Sequence, residues 1–248
     1  MNRRAFNQLL STGVAASLAF PLLSSWSYKS HDLPFIAQLL GKGKPDLVQG
    51  TDYTLRAKAA TVFEQLKKAA LKDGISIKVV SSYRDYDHQK RIWERKYKRF
   101  RASGLSSQQT IKKIIEYSTI PGTSRHHWGT DLDIIDGNAQ TKGDVLVPSK
   151  FHGNGPFCKL KDWMDEHASS YGFYLVYTDN AHRKGFYYEP WHYSYAPLSI
   201  GYLKTYKQID IAAVLKQDKV SGSEALTTEF ISSYINENVL DINPELLP

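Results

Sequence analysis

Along the chain, apolar positions alternate first with helical and then with strand spacing, and several of the strands run out into short polar turns. Leu55, Ala59, Val62, Phe63, Leu66 and Ala70 recur every three or four residues, which predicts an amphipathic helix. Gly74 follows where such a helix can end in a left-handed turn. Ile75-Ser-Ile-Lys-Val79 then alternates with period two and predicts a strand that delivers Tyr83 and Arg84 just past its end. From Asp87 to Arg101 the chain reads as a basic helix with Lys90, Arg91, Arg95, Lys96, Lys98, Arg99 and Arg101, and with Ile92 and Trp93 as its apolar side. Such a run is read first as a solvated face and second as a surface for glycan or nucleic acid. A further helix is expected from Ser107 to Tyr117, broken by Ile120-Pro-Gly-Thr123.

Farther on, Asp131-Leu-Asp-Ile134 alternates as a strand, with the two aspartates on one face and Leu132 and Ile134 on the other, toward the core. Asp131 is read as a supporting or solvent-facing group. A helix from Phe157 to Ser170 stops near Gly172, and Phe173 to Tyr177 is a strand. The polar loop from Thr178 to Gly185 is expected to border a pocket, with His182 and Arg183 as candidate substrate contacts. Aromatic residues from Tyr187 to Tyr193 suggest another strand, with Pro190 at an edge or bulge. Beyond Ser199, Leu203 to Leu215 and Glu224 to Ile235 look helical and Asp241 to Pro248 irregular, with a role left open between packing, lid and partner docking. Strands with helices before and between them predict one α+β domain, built on a small central, mainly antiparallel sheet with flanking helices.

Composition changes this picture at two points. Asn2-Arg-Arg-Ala-Phe6 and the apolar run from Leu9 to Leu23 lack acidic residues and are too short for a convincing membrane span. They are read as a Tat-type export signal over residues 1–26, which places the protein in the periplasm or cell envelope. Removing them takes two arginines, so the formal charge falls from +7 to +5. That balance suits peripheral contact with a polyanionic wall or membrane surface, and no nucleic-acid motif accompanies it. The single cysteine, Cys158, excludes an internal disulfide or a cysteine-rich metal site and is expected as a small buried residue opening a helix. Oligomeric state is not legible.

The candidate chemistry lies in two short windows, Ser124-Arg-His-His-Trp-Gly-Thr-Asp-Leu-Asp133 and Glu189-Pro-Trp-His192. A catalytic zinc takes imidazole and carboxylate ligands from three residues and keeps one open position. His126 and Asp133 are spaced for a loop running into a strand, and His192 is the leading third ligand. His127 and Asp131 stand as alternatives. A bend between Glu189 and His192 brings the glutamate beside the metal instead of onto it.

Ser124-x-His126-x-x-Gly129-x-x-x-Asp133 followed by Glu189-x-Trp191-His192 resembles the motif pair of the zinc D-alanyl-D-alanine carboxypeptidases, on the VanY-like branch that includes L,D-carboxypeptidases. Upstream, Ser81-Ser-Tyr83-Arg84-x-x-x-x-Gln89 matches the Tyr, Arg and Gln of a third family motif, with Ser82 where the family often has Gly and Asp131 where a small residue is common. The resemblance implies a hedgehog/DD-peptidase-like fold over 27–198, with 199–248 as a helical tail outside it. It implies Zn2+ held by His126, Asp133 and His192, Glu189 as general base, and Arg84 as the cation for a substrate carboxylate or developing oxyanion. Gln89 and Ser124 support as hydrogen-bonders, and Trp191 lies at the substrate. The expected activity is removal of a C-terminal D-alanine from peptidoglycan stem peptides. L,D-carboxypeptidase, endopeptidase and a non-catalytic wall-binding role are the alternatives.

Overall fold

The computed structural model describes residues 33–248, and the expected export signal lies outside them. Helix α1 spans Leu33–Leu39, and short strands β1 (Val48–Gln49) and β2 (Thr54–Leu55) form a hairpin. Helix α2, Ala57–Lys72, buries Ala59, Ala60, Phe63, Leu66 and Ala70, the face its spacing predicts. It ends at Gly74, whose φ of 77° lets the chain turn back so that the Ile75 N–H reaches the Ala70 carbonyl at 2.9 Å. The chain continues through β3 (Ile77–Ser81), α3 (Tyr86–Ala102), α4 (Ser107–Ile114), β4 (Asp131–Asp136), α5 (Cys158–His167), β5 (Phe173–Leu175) and β6 (His192–Tyr195).

The four longer strands form an antiparallel sheet in the order β3-β4-β6-β5. One face carries Leu132, Ile134, Phe173, Tyr193 and Tyr195 against Phe63, Leu66 and Trp163. Each such side chain contributes about 1.5–3 kcal/mol when fully buried. Register then fixes the other face. Asp133 lies opposite His192 and Asp131 opposite Ser194, so two aspartates, a histidine and a serine point together away from Leu132 and Tyr193. A slip of one residue in either strand would send that strand's polar pair into the apolar layer. Every residue of β4 is buried, so the strand has no solvent side, contrary to the exposure allowed for Asp131.

After β6 the chain forms α6 (Ala196–Tyr206), α7 (Ile211–Gln217) and α8 (Thr228–Tyr234). The helix expected over Leu203 to Leu215 divides, because the Asp210 carboxylate accepts from the Ala213 N–H at 2.9 Å and caps a new start. Thr227 likewise caps α8, and a π-helical turn, Ile235–Val239, extends it. The strand expected over Tyr187 to Tyr193 begins only at His192, since Pro190 sits in a turn closed by His192 N–H to Glu189 C=O at 3.1 Å. Cys158 heads α5 half-buried, with its thiol on the Gly153 carbonyl.

Residues beyond Ser199 pack as core. Leu203, Tyr206, Leu215, Ile231, Tyr234 and Leu246 share a cluster with Trp93, Ile114, Ile120 and Trp128. They also make polar ties. The Trp93 indole donates to the Ser221 carbonyl at 2.9 Å, and Tyr206 Oη donates to the Gly122 carbonyl at 3.0 Å. Tyr234 Oη accepts from the Ile120 N–H at 3.1 Å and lies 2.7 Å from Thr123 Oγ1, whose own hydrogen goes to the Ile120 carbonyl. The turn that opens the first motif is therefore held from the C-terminal helices. Tyr234→Phe keeps the ring and strands a buried N–H, so it is expected to lower stability by about 1–3 kcal/mol in urea unfolding. An unchanged midpoint would show that this tie is dispensable.

Candidate active site

The first motif folds as a 3-10 turn, Arg125–Trp128, that stops at Gly129 in the left-handed region with φ of 69°. A Cβ there would come within 2.7 Å of Leu47 Cδ2, so backbone conformation and crowding both call for glycine. The turn is stitched to the end of β3. Arg84 N–H donates to the His126 carbonyl at 3.1 Å, His126 Nδ1 pairs with the Ser82 carbonyl at 2.7 Å, and His127 Nδ1 with the Arg84 carbonyl at 2.6 Å. A ring nitrogen facing a carbonyl must be its N–H, so both tautomers follow. His126 Nε2 then points unprotonated toward Asp133 Oδ2, 3.4 Å away. His127 Nε2 accepts from the Gly122 N–H at 3.2 Å, which uses up its second nitrogen. Burial pushes the His127 imidazole down to about 3, as suits a neutral ring serving as a backbone brace. The structure thus turns His126 toward the aspartate and occupies His127 elsewhere.

His192 enters from β6 beside Asp133. Its Nε2 lies 3.1 Å from Asp131 Oδ2, and its Nδ1 lies 2.8 Å from Glu189 Oε2 and 3.8 Å from Asp133 Oδ1. Asp131 is fully buried and fully engaged. Arg125 Nε donates to it at 2.9 Å, and the Thr130 and Ser194 hydroxyls each donate at 2.7 Å. Burial opposes its ionisation, but the Arg125 guanidinium beside it and the His192 contact hold its pKa well below the usual carboxylate range. Sequence reasoning missed Arg125, Thr130 and Ser194. The available signal was the strand period, which puts Ser194 on the face of His192 and Asp131 on the face of Asp133.

Ligand atoms of His126, Asp133 and His192 lie within 4.8 Å of one another, and all three residues are buried. The donor set fits zinc, with two imidazoles and one carboxylate. Asp133 Oδ1 is buried without a hydrogen-bond partner among the described residues, and a cation between the three side chains would satisfy it. Burial pushes His192 down, but its bonds to Asp131 and Glu189 outweigh this and lift it to about 10. Asp131, Asp133 and Glu189 gather negative charge around this ring, which favours a cation in the pocket. Glu189 is shifted upward by burial, which exceeds the opposing pull of His192.

Arg84 lines the same cleft, which has a volume of about 730 Å³ and is lined also by Ser124, Glu189 and Trp191. Its Nη1 donates to Gln89 Oε1 at 2.9 Å, and Gln89 is held in turn through Nε2 to the Thr119 carbonyl at 2.9 Å. No carboxylate of the described residues lies within 4 Å of the guanidinium, and its buried Nε has no partner. Ser124 Oγ is also buried without a partner among the described residues. Trp191 packs on Phe151 at 5.7 Å and forms a wall. His182 and Arg183 do not line the cleft, and neither does the loop from 178 to 185. Arg183 turns the other way, donating through Nε and Nη2 to the Asp241 carbonyl and stacking over Tyr177, because the C-terminal segment offers that carbonyl.

A model of the VanY D-alanyl-D-alanine carboxypeptidases matches residues 52–198. The chain belongs to this family. All three motifs fall within the match, while the C-terminal helices that brace them lie beyond it. Over 134 residues the chain is 31% identical to a D-alanyl-D-alanine carboxypeptidase of Enterococcus faecalis, covering 53% of this chain and 44% of that one. The chain thus spans about half the length of the curated relatives it matches. Among solved structures it resembles VanYB in complex with D-alanine-D-alanine, with a TM-score of 0.52, 26% identity, and coverage of 71% of this chain and 91% of that one. A vancomycin-resistance D,D-pentapeptidase VanY variant in complex with Zn(II) is also similar, with a TM-score of 0.51, 26% identity, and coverage of 66% and 85%.

Asp131→Asn conserves shape but leaves Arg125 as a buried charge without its counterion. The change is expected to destabilise the protein by about 3–5 kcal/mol in chemical denaturation. A loss below about 1 kcal/mol, the range of an exposed ion pair, would contradict the assignment of a buried, closed pair.

Proposed function

We propose that the protein is a zinc-dependent carboxypeptidase that removes a C-terminal D-alanine from peptidoglycan stem peptides. One observation carries this reading. A three-residue donor set, a neighbouring carboxylate that is not needed as a ligand, and a cation with no carboxylate partner line one cleft. Zinc, when bound by His126, Asp133 and His192, supplies a Lewis acid that polarises the scissile carbonyl and makes water a nucleophile near neutral pH.

The chain's own residues do the rest. Glu189 is held on the turn before His192 and points at the donor set, so it is placed to take a proton from the attacking water and pass it to the leaving amine. Its upward shift by burial makes it a stronger base than an exposed glutamate. Arg84 receives the terminal carboxylate of the substrate, and its planar fork suits two-point contact with that group. Gln89 fixes one side of the fork, and the unpaired Ser124 hydroxyl and Trp191 shape the adjoining wall. A cationic anchor for a chain end inside the cleft favours a carboxypeptidase over an endopeptidase. Removal of an alanine from tetrapeptides instead of pentapeptides would make the activity L,D.

Incubating the zinc-loaded protein with purified muropeptides and weighing the products tests this reading. Loss of one alanine from pentapeptides is expected, and cross-link cleavage or no change would contradict it. Glu189→Ala should keep one zinc per chain while turnover falls about 10²–10⁴-fold, the range for a general base. Arg84→Ala should chiefly harm peptides with a free terminal carboxylate, and equal turnover of free and amidated peptides by the unaltered protein would remove the anchor role.

A further inference from the structure

Of the cations on the basic helix α3, Arg95 and Arg99 are exposed and Lys96 is half-buried, and these three share one side of the helix. His88, Ile92, Arg95, Lys96 and Arg99 follow one another at helical spacing, and all line the cleft that holds Arg84 and Glu189. Lys90, Arg91, Lys98 and Arg101 do not. Among the described residues no carboxylate lies within 4 Å of Arg95, Lys96 or Arg99, whereas Lys113 across the cleft is already paired with Glu116 at 2.7 Å. Lys96 is half-buried. Its burial lowers its affinity for a proton, and Arg99, Arg84 and Arg95 add to that while Glu189 opposes it. Three cations on one wall repel one another, and an arriving anion relieves that repulsion. The segment with Asp144, Leu146, Val147 and Pro148 lines the same cleft. Asp144 and Glu116 are the acids that line the cleft besides Asp133 and Glu189, and Glu116 is paired with Lys113.

Distance sets where the anion must sit on the substrate. Lys96 is ten residues along from Tyr86, about 15 Å at the helical rise. Helical side chains lean back toward the N-terminus, which brings the cations to about 10–15 Å from Arg84. An extended peptide covers that in three or four residues, at about 3.3 Å each.

We infer that Lys96, with Arg95 and Arg99, forms a subsite for a second carboxylate of the substrate, three or four residues before the terminal carboxylate held by Arg84. The preferred substrate is thus an acidic peptide chain. This rests on the carboxypeptidase reading for the placement of the chain end, while the charge preference itself is read by binding.

Two synthetic peptides ending in D-Ala-D-Ala are compared, one with a glutamate at that position and the other with glutamine. Their binding is measured by calorimetry on the zinc-loaded full chain carrying Glu189→Ala, and their turnover on the unaltered chain. The glutamate peptide is expected to bind about tenfold more tightly, the size of one charge-assisted hydrogen bond. Added salt should narrow that gap. Lys96→Met should reduce the preference, and Lys96→Met combined with Arg95→Gln and Arg99→Gln should abolish it. Lys90→Met, on the same helix but outside the cleft, should retain it. Equal binding of the two peptides, or a preference that survives the triple change, overturns the subsite. A preference in binding with no cleavage of either peptide by the unaltered chain keeps the subsite and overturns the carboxypeptidase reading.

Discussion

The site depends on the buried carboxylate of Asp131. It sits in the middle strand pair, directly opposite Ser194, and takes hydrogen bonds from Arg125, Thr130 and Ser194 while its Oδ2 faces His192 Nε2. An unpaired carboxylate in such a place would cost several kcal/mol, so the charge is tolerable only because Arg125 is buried with it. Arg125 in turn spreads over the Trp128 ring at 4.6 Å and donates to Ser194 at 2.8 Å. The arrangement leaves His192 Nδ1 as the nitrogen facing Glu189 and Asp133. A network that fixes the outer nitrogen of a ligand ring sets the ring's orientation and tautomer.

The same logic appears on the other side of the pocket. The Arg84 N–H donates to the His126 carbonyl and the Arg84 carbonyl accepts from the His127 ring, so the residue assigned to the substrate carboxylate and the first histidine are parts of one stitched loop. That loop is buttressed by Tyr206 and Tyr234, which lie past the family match. The C-terminal segment also holds the chain leading to Glu189, through Arg183 on the Asp241 carbonyl and the Asn243 side chain on the Leu175 carbonyl. Gly185 shows how tightly, since a Cβ there would lie 1.7 Å from the Glu237 carbonyl oxygen. Among the possible roles of the tail, packing is what the structure displays.

Periodicity alone was enough for α2, β3 and the two faces of β4, because each carries a clean apolar stripe or alternation, whereas α3 buries only Gln89 and Trp93. It failed where a local polar group competed with the pattern. Pro190 turned an aromatic run into a bend, and the Asp210 and Thr227 side chains cut long helical stretches at new caps. The two motif windows named the residues that gather in the cleft, but spacing could not choose between His126 and His127. That choice is made by the Ser82, Arg84 and Gly122 backbone groups, which lie far off in sequence or in a turn. Nor could it tell which lysines of α3 face the cleft, or that Arg183 faces the tail, since both depend on how the helices pack.

The central claim is that His126, Asp133 and His192 form the metal centre while Glu189 stands free of it. A crystal structure of the zinc-loaded protein, with anomalous scattering recorded across the zinc edge, tests this directly. The account predicts a single anomalous peak bonded to His126 Nε2, His192 Nδ1 and an Asp133 carboxylate oxygen, at about 2.0–2.2 Å. A peak bonded to Glu189, Asp131 or His127, or no peak in the cleft, would contradict it.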